Sequence, residues 1–205
     1  MPKGRPREFD VDKALDAALS LFWRHGYEGT SLAALTEAMD INVPSLYAAF
    51  GNKEQLFRKV LDRYVQSPAS YLPNALKEPT AQAVVAKLFS GAIEMVMNPA
   101  HPDGCLLVQG ALASGPLAGP VTRELSRRRS GAEAAVRRRF ERAVSEGDLP
   151  AEVDAAKLAR YVVTVIWGMS VQAAGGASRA ELKSIAETAM LAWPEARHFA
   201  AGVKV

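Results

Sequence analysis

Apolar residues recur every three or four positions along most of the chain, a spacing typical of amphipathic helices. The first stripe begins after the cap residue Asp10 and ends before Gly26. No run of alternating apolar and polar residues bounded by turn residues predicts a β-strand. The sequence therefore predicts an all-α protein of about nine helices.

Three short helices follow the first. We expect them over residues 31–39, 42–50 and 52–66. Pro44 falls in the first turn of the middle one, where its missing N–H leaves no intrahelical hydrogen bond unmade. Two of these helices are thus separated by a turn of only a few residues.

Residues 67–80 contain three prolines, which interrupt any helical pattern and mark a boundary between an N-terminal head and a body. Proline and glycine clusters then separate the helices of the body. We expect these helices at about residues 80–98, 104–114, 120–146, 151–174 and 179–193.

Composition narrows the class of protein. Of the 205 residues, 49% are apolar, enough for a sizeable core. No stretch of about 18 apolar residues predicts a membrane span, and no apolar run follows the basic N-terminus as in a secretion signal, so we expect a cytoplasmic protein. The single cysteine, Cys105, excludes an internal disulfide, and no Cys and His cluster has zinc-ligand spacing. We predict no metal and no cofactor.

The second and third helices have the spacing of a helix-turn-helix, which lays its second helix in the major groove of DNA. Only Leu46 and Phe50 clearly anchor that second helix, so its other face is free. Val43 or Pro44 could touch a thymine methyl group, and Ser45 could bond to a base edge.

Phosphate contacts are expected where helices begin, because free N–H groups and the helix dipole favour an anion there. Thr30 and Ser31 form one such beginning, and Asn52 with Lys53 forms another. Tyr47 suits a phosphate or a base. The alternative is that these residues are ordinary caps and a surface lysine.

The distribution of charge adds one candidate DNA-binding segment. The net charge is only +3, and residues 1–66 contain as many acidic as basic residues. Lys3, Arg5 and Arg7 nevertheless form a short basic arm that could reach phosphates or a minor groove. Such arms can also serve only as solubilising tails.

The head carries a specific set of motifs: an aromatic-rich first helix ending in HGY, a T-S pair, and LYxxF followed in register by xKExLF. With these motifs, residues 9–64 closely resemble the N-terminal DNA-binding domain of the tetracycline-repressor (TetR) family. The resemblance implies a three-helix DNA-binding head, a long fourth helix linking it to the body, and homodimers that bind near-palindromic operators. It also implies base contacts at Val43, Pro44 and Ser45 and phosphate contacts at Thr30, Ser31, Tyr47 and Lys53. With the cap residue Asn42, these are the candidate DNA-binding residues.

Two positions depart from the family pattern. Asp40 stands where the family usually has glycine in the turn, which is tolerable because Asp adopts left-handed conformations more readily than most residues. Ala48 and Ala49 replace the polar or aromatic pair often found after the tyrosine, so we expect fewer phosphate contacts there. In the body, the resemblance rests mainly on GCLLVQGAL, which looks like a segment of one TetR subgroup.

These features divide the chain into two predicted domains. Residues 1–66 form a helix-turn-helix DNA-binding domain that includes the linking helix. Residues 67–205 form a domain for effector sensing and dimerisation.

Cys105 is a candidate effector or redox sensor. It follows Gly104 at an expected helix N-terminus, where the helix dipole could lower the pKa of the thiol and favour the reactive thiolate. The alternative is a small buried residue of the core, since unpaired cysteines are among the most buried residues.

A second candidate site is an apolar pocket in the body. Phe89 and Ile93 belong to one apolar stripe, and Trp167 and Met169 to another, so a ligand pocket could lie between them. A core filled by the same side chains is the alternative. The sequence does not name the small molecule.

The helix expected over residues 151–174 is apolar nearly all round, which is typical of a helix in a dimer interface. The last helix has an apolar face to complete it, formed by Leu182, Ile185, Ala189 and Trp193. By resemblance, these two helices from each subunit form a four-helix interface. The alternative is a single larger core within one chain.

Two arginine runs, residues 127–129 and 137–139, lie on the long helix expected over 120–146. We interpret most of these arginines as a solvated face. An anionic ligand or an acidic partner is the alternative.

Together these observations predict a transcription regulator without a membrane partner. It would be a homodimer that binds double-stranded operator DNA as a repressor and is released by a small-molecule or electrophilic effector. An activator with the same head is one alternative, and an all-α enzyme or small-molecule binding module is another. We do not predict an enzyme, because the sequence has no phosphate-binding glycine loop, metal-ligand pair or nucleophile with an evident base.

Overall fold

The computed structural model describes residues 9–112 and 119–194. Within these residues the chain is helical throughout, with no strand, which confirms the all-α fold class. The ten helices are α1 (Val11–His25), α2 (Leu32–Ala38), α3 (Val43–Phe50), α4 (Lys53–Gln66), α5 (Tyr71–Ala75), α6 (Ala81–Val96), α7 (Leu106–Leu112), α8 (Gly119–Ser145), α9 (Ala155–Ala174) and α10 (Arg179–Leu191).

The helices of the head begin at the predicted cap residues. The side-chain oxygens of Asp10, Ser31 and Asn42 each accept hydrogen bonds from backbone N–H groups in the first turn that follows. Asn52 and Gln55 bond reciprocally to each other's backbone N–H in a capping box. Local side-chain chemistry therefore fixes where each of these helices starts.

The predicted linker contains one helix that its proline-rich sequence did not predict. Helix α5 spans five residues and includes Pro73 at its third position. A proline there removes an N–H that has no partner within the helix, so it does not prevent a short turn of helix. The ring of Tyr71 lies against Gly91 of α6, where an added Cβ would come within 2.6 Å of the Tyr71 side chain.

In the body, α6, α8 and α9 pack on one another, and α10 covers α6 and α9. Val84, Leu88 and Ala92 of α6 are among the most buried residues. The ring of Phe140 on α8 and the ring of Trp193 after α10 pack edge to face, with centres 5.8 Å apart. Within the described ranges, none of the helices is both long and apolar enough to cross a membrane.

The head and the body share one continuous core. Trp23 of α1 packs edge to face on Tyr64 of α4, with ring centres 4.8 Å apart. The Tyr64 hydroxyl donates to the sulfur of Cys105, 3.1 Å away, just before α7. Helix α4 is therefore held between the rest of the head and the body.

The apolar face predicted on the last helix packs largely within its own chain. Leu182, Ala189 and Trp193 are buried and Ile185 is half-buried, and on α9 the buried side chains include Val162, Ile166 and Met169. A core within one chain therefore takes up much of this surface, and the dimer interface on these two helices stays a prediction. Apolar side chains that remain exposed on α9 and α10 are Tyr161, Val171 and Leu191, the last of them 83% exposed.

Candidate DNA-binding surface and effector cavity

Helix α3 presents one face to the core and another to solvent. Leu46 and Phe50 are buried, whereas Val43 and Tyr47 are 44% and 46% exposed. Pro44 and Ala48 are also exposed. The outward face is therefore small and apolar at the start of the helix and carries one phenol a turn later, a surface that can approach base edges closely.

The turn before α3 adopts the conformation that the sequence predicted. Asp40 has a φ of 51°, and it is the only described residue other than glycine with a positive φ. The next N–H, of Ile41, donates to the carbonyl of Thr36 and closes the end of α2. This turn sets the angle between α2 and α3.

The start of α2 offers fewer hydroxyl groups to a phosphate than the sequence predicted. Thr30 is only 1% exposed, and its hydroxyl donates to the carbonyl of Gly26 at 2.7 Å. That hydroxyl is therefore not available to a phosphate, contrary to the expectation. Ser31 is exposed, and its oxygen accepts from the N–H of Ala34 at 3.0 Å, which leaves its own hydroxyl proton free to be donated.

The start of α4 places a cation beside the helix-turn-helix. Lys53 is the first residue of α4, and its Nζ lies 4.4 Å from the centre of the Tyr27 ring. Burial lowers the pKa of Lys53, and the negative charge of Glu28 opposes this. The aromatic ring fixes the ammonium group at the N-terminus of α4, a position suited to a phosphate.

Gly51 leaves room for the capping box at the start of α4. Its φ is +76°, and an added Cβ would lie 1.8 Å from Oε1 of Gln55, the oxygen that closes the capping box.

The third candidate region, the basic arm of Lys3, Arg5 and Arg7, lies outside the described residues.

A cavity of about 440 Å³ lies in the body between α4, α5, α7, α8 and α9. Its wall is mostly apolar and includes Leu72, Val163 and Trp167. Its size is typical of sites for small organic molecules. Three consecutive arginines of α8, residues 127–129, line it as well.

The predicted pocket residues are not brought together. Trp167 lines this cavity, but Phe89 and Ile93 border a separate groove between α6 and α10. Met169 is buried in the core. The prediction of one pocket formed by these four side chains was wrong, because Phe89, Ile93 and Met169 are buried in the core, as the alternative had it, and only Trp167 of the four lines the cavity.

Cys105 also lines the cavity, at the N-terminal end of α7. It is only 8% exposed, and burial raises the pKa of its thiol. The hydrogen bond from Tyr64 and the N–H groups of Val108 and Leu107 lower the pKa, but less than burial raises it. The expected direction was therefore wrong, and the buried-core alternative describes the geometry of Cys105.

An ion-pair cluster joins α4 to α8 at the edge of the cavity. Glu124 of α8 is 5% exposed and accepts from Arg127 at 2.6 and 2.8 Å and from Arg128 at 2.7 Å. Arg128 also donates to Asp62 of α4 at 2.7 Å, and Arg58 of α4 lies 3.5 Å from Glu124. Hydrogen bonds from Arg127 above all, and from Arg128, lower the pKa of Glu124 to about 2, although burial opposes the shift.

The interpretation of the arginine runs as a solvated face needs correction. Arg127 is well exposed, but the side chain of Arg128 is only 14% exposed and Arg129 is half-buried. Arg139 is buried and donates to the carbonyls of Glu78 and Pro79, so it ties α8 to the start of α6. Among the residues with described positions, no group of three or more His, Cys, Asp or Glu could hold a metal ion.

Two family models match the chain. The model described as bacterial regulatory proteins of the tetR family matches residues 14–60, and the tetracyclin repressor-like C-terminal domain matches residues 81–189. The chain belongs to the TetR family. It is accordingly a DNA-binding transcription regulator, as the resemblance of its head implied.

Individual relatives agree with this assignment. The HTH-type transcriptional repressor ComR of Escherichia coli is 37% identical to this TetR protein over 195 residues, which cover 94% of the chain and 93% of ComR. The HTH-type transcriptional repressor BdcR of the same organism is 38% identical over 117 residues, covering 56% of this chain and 59% of BdcR.

A solved structure is similar over nearly the whole length. It is a cysteine-substituted form of the TetR family regulator CifR in complex with a 26-base-pair double-strand operator DNA. It is 43% identical, covers 93% of this chain and 100% of its own, and superposes with a TM-score of 0.88. The fold described here is therefore a fold that binds operator DNA in a relative.

Proposed function

We propose that this protein is a homodimeric repressor that binds a near-palindromic operator through α3 and is released when an effector fills the cavity of the body. The observation that carries the proposal is the outward face of α3, beside two helix beginnings that suit phosphates. The similarity to proteins named as repressors favours repression over activation. We also propose a cytoplasmic location, which a DNA partner supports.

In this proposal, the residues of the head divide into two groups. Val43, Pro44 and Ser45 meet base edges in the major groove, and Asn42 fixes them by capping α3. Ser31, Tyr47 and Lys53 hold phosphates on either side and so set the register of the helix on the duplex. Thr30 contributes through its backbone alone, since its hydroxyl is engaged.

The dimer is proposed to form through α9 and α10. Tyr161 and Val171 lie exposed along α9, and an added Cβ at Gly168 between them would meet no atom within 4 Å. Leu191 extends the exposed surface on α10. A second copy would cover this apolar surface, and helices at a subunit interface commonly pack in this way.

We assign DNA binding to residues 1–66 and effector binding with dimerisation to residues 67–205. The two family models support this division, because one ends at residue 60 and the other begins at residue 81. We propose a regulator and not an enzyme, since membership of the family favours regulation. Turnover by a purified sample that ignores DNA would favour the alternative of an enzyme.

The proposal is tested by selecting bound fragments of genomic DNA and measuring their affinity by fluorescence anisotropy. Replacing Ser45 and Tyr47 together with alanine should weaken selective binding by about tenfold or more, while non-specific binding changes little. Replacing Lys53 with alanine should weaken binding to all duplexes and reduce the salt dependence by about one phosphate contact.

Lys87→Ala is a control for Lys53→Ala, because Lys87 is an exposed lysine of α6, outside both the head and the two helices proposed to form the dimer. It should leave DNA binding unchanged. Selective binding that survives the Ser45 and Tyr47 substitutions, or that is undetectable at low salt in the unaltered protein, would contradict the proposal.

A further inference from the structure

One of the three arginines that line the cavity differs from its neighbours. Arg127 and Arg128 are paired with Glu124, and Arg128 also with Asp62. Arg129 donates through Nη1 to the backbone carbonyl of Leu107 at 2.7 Å. Among the described residues, no carboxylate lies within ion-pair distance of Arg129.

The charge of Arg129 is poorly compensated for its degree of burial. The side chain is half-buried, and this burial lowers its pKa, although the neighbouring thiol of Cys105 opposes the shift. A carbonyl oxygen satisfies one of its five N–H donors, but it does not neutralise the cation. A guanidinium group presents a planar set of donors that matches a carboxylate in two parallel hydrogen bonds. An anion beside Arg129 would thus supply what the chain itself does not.

The rest of the cavity wall favours a ligand with a hydrocarbon part. Tyr71 and Leu72 of α5 face the cavity together with Trp167 of α9, so its wall offers aromatic and aliphatic surface. A volume of about 440 Å³ accommodates a ring system or a medium-length chain, but not a large cofactor.

We propose that the effector is a small organic anion, an aromatic or medium-chain carboxylate. Its charged group binds Arg129, and its hydrocarbon part lies against Tyr71, Leu72 and Trp167. This inference rests on the proposed function only in naming the cavity as the effector site; the binding itself does not depend on DNA.

The same position connects the ligand to the head. Arg129 follows Arg128, whose Nη2 binds Asp62 of α4 at 2.7 Å, and Asp62 itself lines the cavity. A second carboxylate in this space repels Asp62 and competes with it for the arginines. Binding of the anion therefore weakens the contact between α4 and α8 and lets the head move.

The test uses two matched pairs of probes: 2-naphthoate with 2-naphthamide, and octanoate with octanamide. Isothermal titration calorimetry of the full chain should show at least one acid binding about tenfold or more tightly than its amide. Arg129→Met should remove about tenfold of that acid's affinity and leave the amide unchanged. Arg129→Lys, which keeps the charge, should retain the preference for the acid.

Arg138→Met is the matched control, because Arg138 is an exposed arginine of the same helix that does not line the cavity. It should bind each probe as the unaltered protein does. Equal affinity for acid and amide, full acid affinity in Arg129→Met, or no binding of any probe at millimolar concentration would each overturn the inference.

Operator binding without any probe is measured in parallel and separates the two proposals. If the acids bind no more tightly than their amides while operator binding is intact, only the inference about the effector is overturned. If the unaltered protein does not bind operator DNA, the proposed function is overturned, but a measured preference for the acid remains valid. A binding acid should also lower operator affinity, whereas its amide should not.

Discussion

Replacing Glu124 with glutamine removes the negative charge at the centre of the contact between α4 and α8. The carboxylate is 5% exposed and accepts three short hydrogen bonds from Arg127 and Arg128. Glutamine has nearly the same shape and keeps one acceptor oxygen, so it changes the charge with little change in packing. The variant therefore isolates the electrostatic contribution of this cluster.

The magnitude follows from the pKa of Glu124. Folding lowers it from 4.5 to about 2, chiefly through the hydrogen bonds of Arg127. A shift of this size corresponds to about 3 kcal/mol of stability at neutral pH. Because the amide oxygen of glutamine still accepts one hydrogen bond, we expect Glu124→Gln to lower the free energy of unfolding by about 2–3 kcal/mol at pH 7.

The stability difference between the two proteins should also depend on pH. A carboxyl whose pKa is lowered by folding stabilises the folded state above its unfolded pKa, here 4.5, and this stability disappears as the pH falls toward 2. Urea unfolding followed by circular dichroism, at one fixed protein concentration because a dimer is expected, should show the gap between the two proteins closing over that range.

Glu141→Gln is the matched control on the same helix. Glu141 lies 3.3 Å from Arg137, and both side chains are about half exposed, so the substitution should cost no more than about 0.5 kcal/mol. Equal losses for the two variants at pH 7 would refute the reasoning. So would a gap between the unaltered protein and Glu124→Gln that stays constant from pH 5 to pH 2.

Two further predictions concern single positions. Gly51→Ala should lower the melting temperature more than Gly147→Ala, because both glycines have a φ near +77° but only Gly51 would place a Cβ against Gln55; equal losses would mean that φ alone decides. Cys105 should react with iodoacetamide about tenfold or more slowly in the folded protein than in urea, because burial shields the thiol and raises its pKa. Reaction of the folded protein at the unfolded rate, followed by mass spectrometry, would contradict that prediction.

The parts of the fold that depend on local chemistry could be predicted from the sequence. Asn42, two residues before Pro44, predicted the start of α3, because a cap is decided within a few residues. The left-handed turn at Asp40 was implied by the family resemblance, and it is present in the structure. The spacing of Leu46 and Phe50 correctly indicated the buried side of α3, and with it the outward side.

The parts that depend on packing between distant helices could not be predicted in the same way. The apolar stripes that contain Phe89 and Trp167 are both present, but only the tertiary structure shows that Phe89 is buried in the core whereas Trp167 lines the cavity. The engaged hydroxyl of Thr30 depends on where the chain turns at Gly26. Helix α5 could not be predicted from the prolines alone, because Pro73 is compatible with a helix only if it lies in the first turn, and the structure is what shows that it does.

The arginine run of α8 itself bears on burial. Consecutive residues of a helix point about 100° apart, so three arginines in a row span about 200° of the helix surface. On a helix that packs against neighbours, such a run favours at least one arginine at the border of a packed face. The structure shows Arg128 and Arg129 in such positions, toward α4 and the cavity.

Helix α4 connects the two functions because it takes part in both. Lys53 at its first turn lies beside the helix-turn-helix, and Asp62 and Tyr64 near its other end line the cavity. About 14 Å of regular helix separates Lys53 from Asp62, and a helix of this length moves as a rigid element. Arg63 binds Asp16 through two hydrogen bonds of 2.8 Å and so fastens α4 to α1. Under the proposed function, we therefore expect a displacement of α4 at the cavity to carry the head with it and, in a dimer, to change the distance between the two α3 helices that must meet half-sites about one turn of DNA apart.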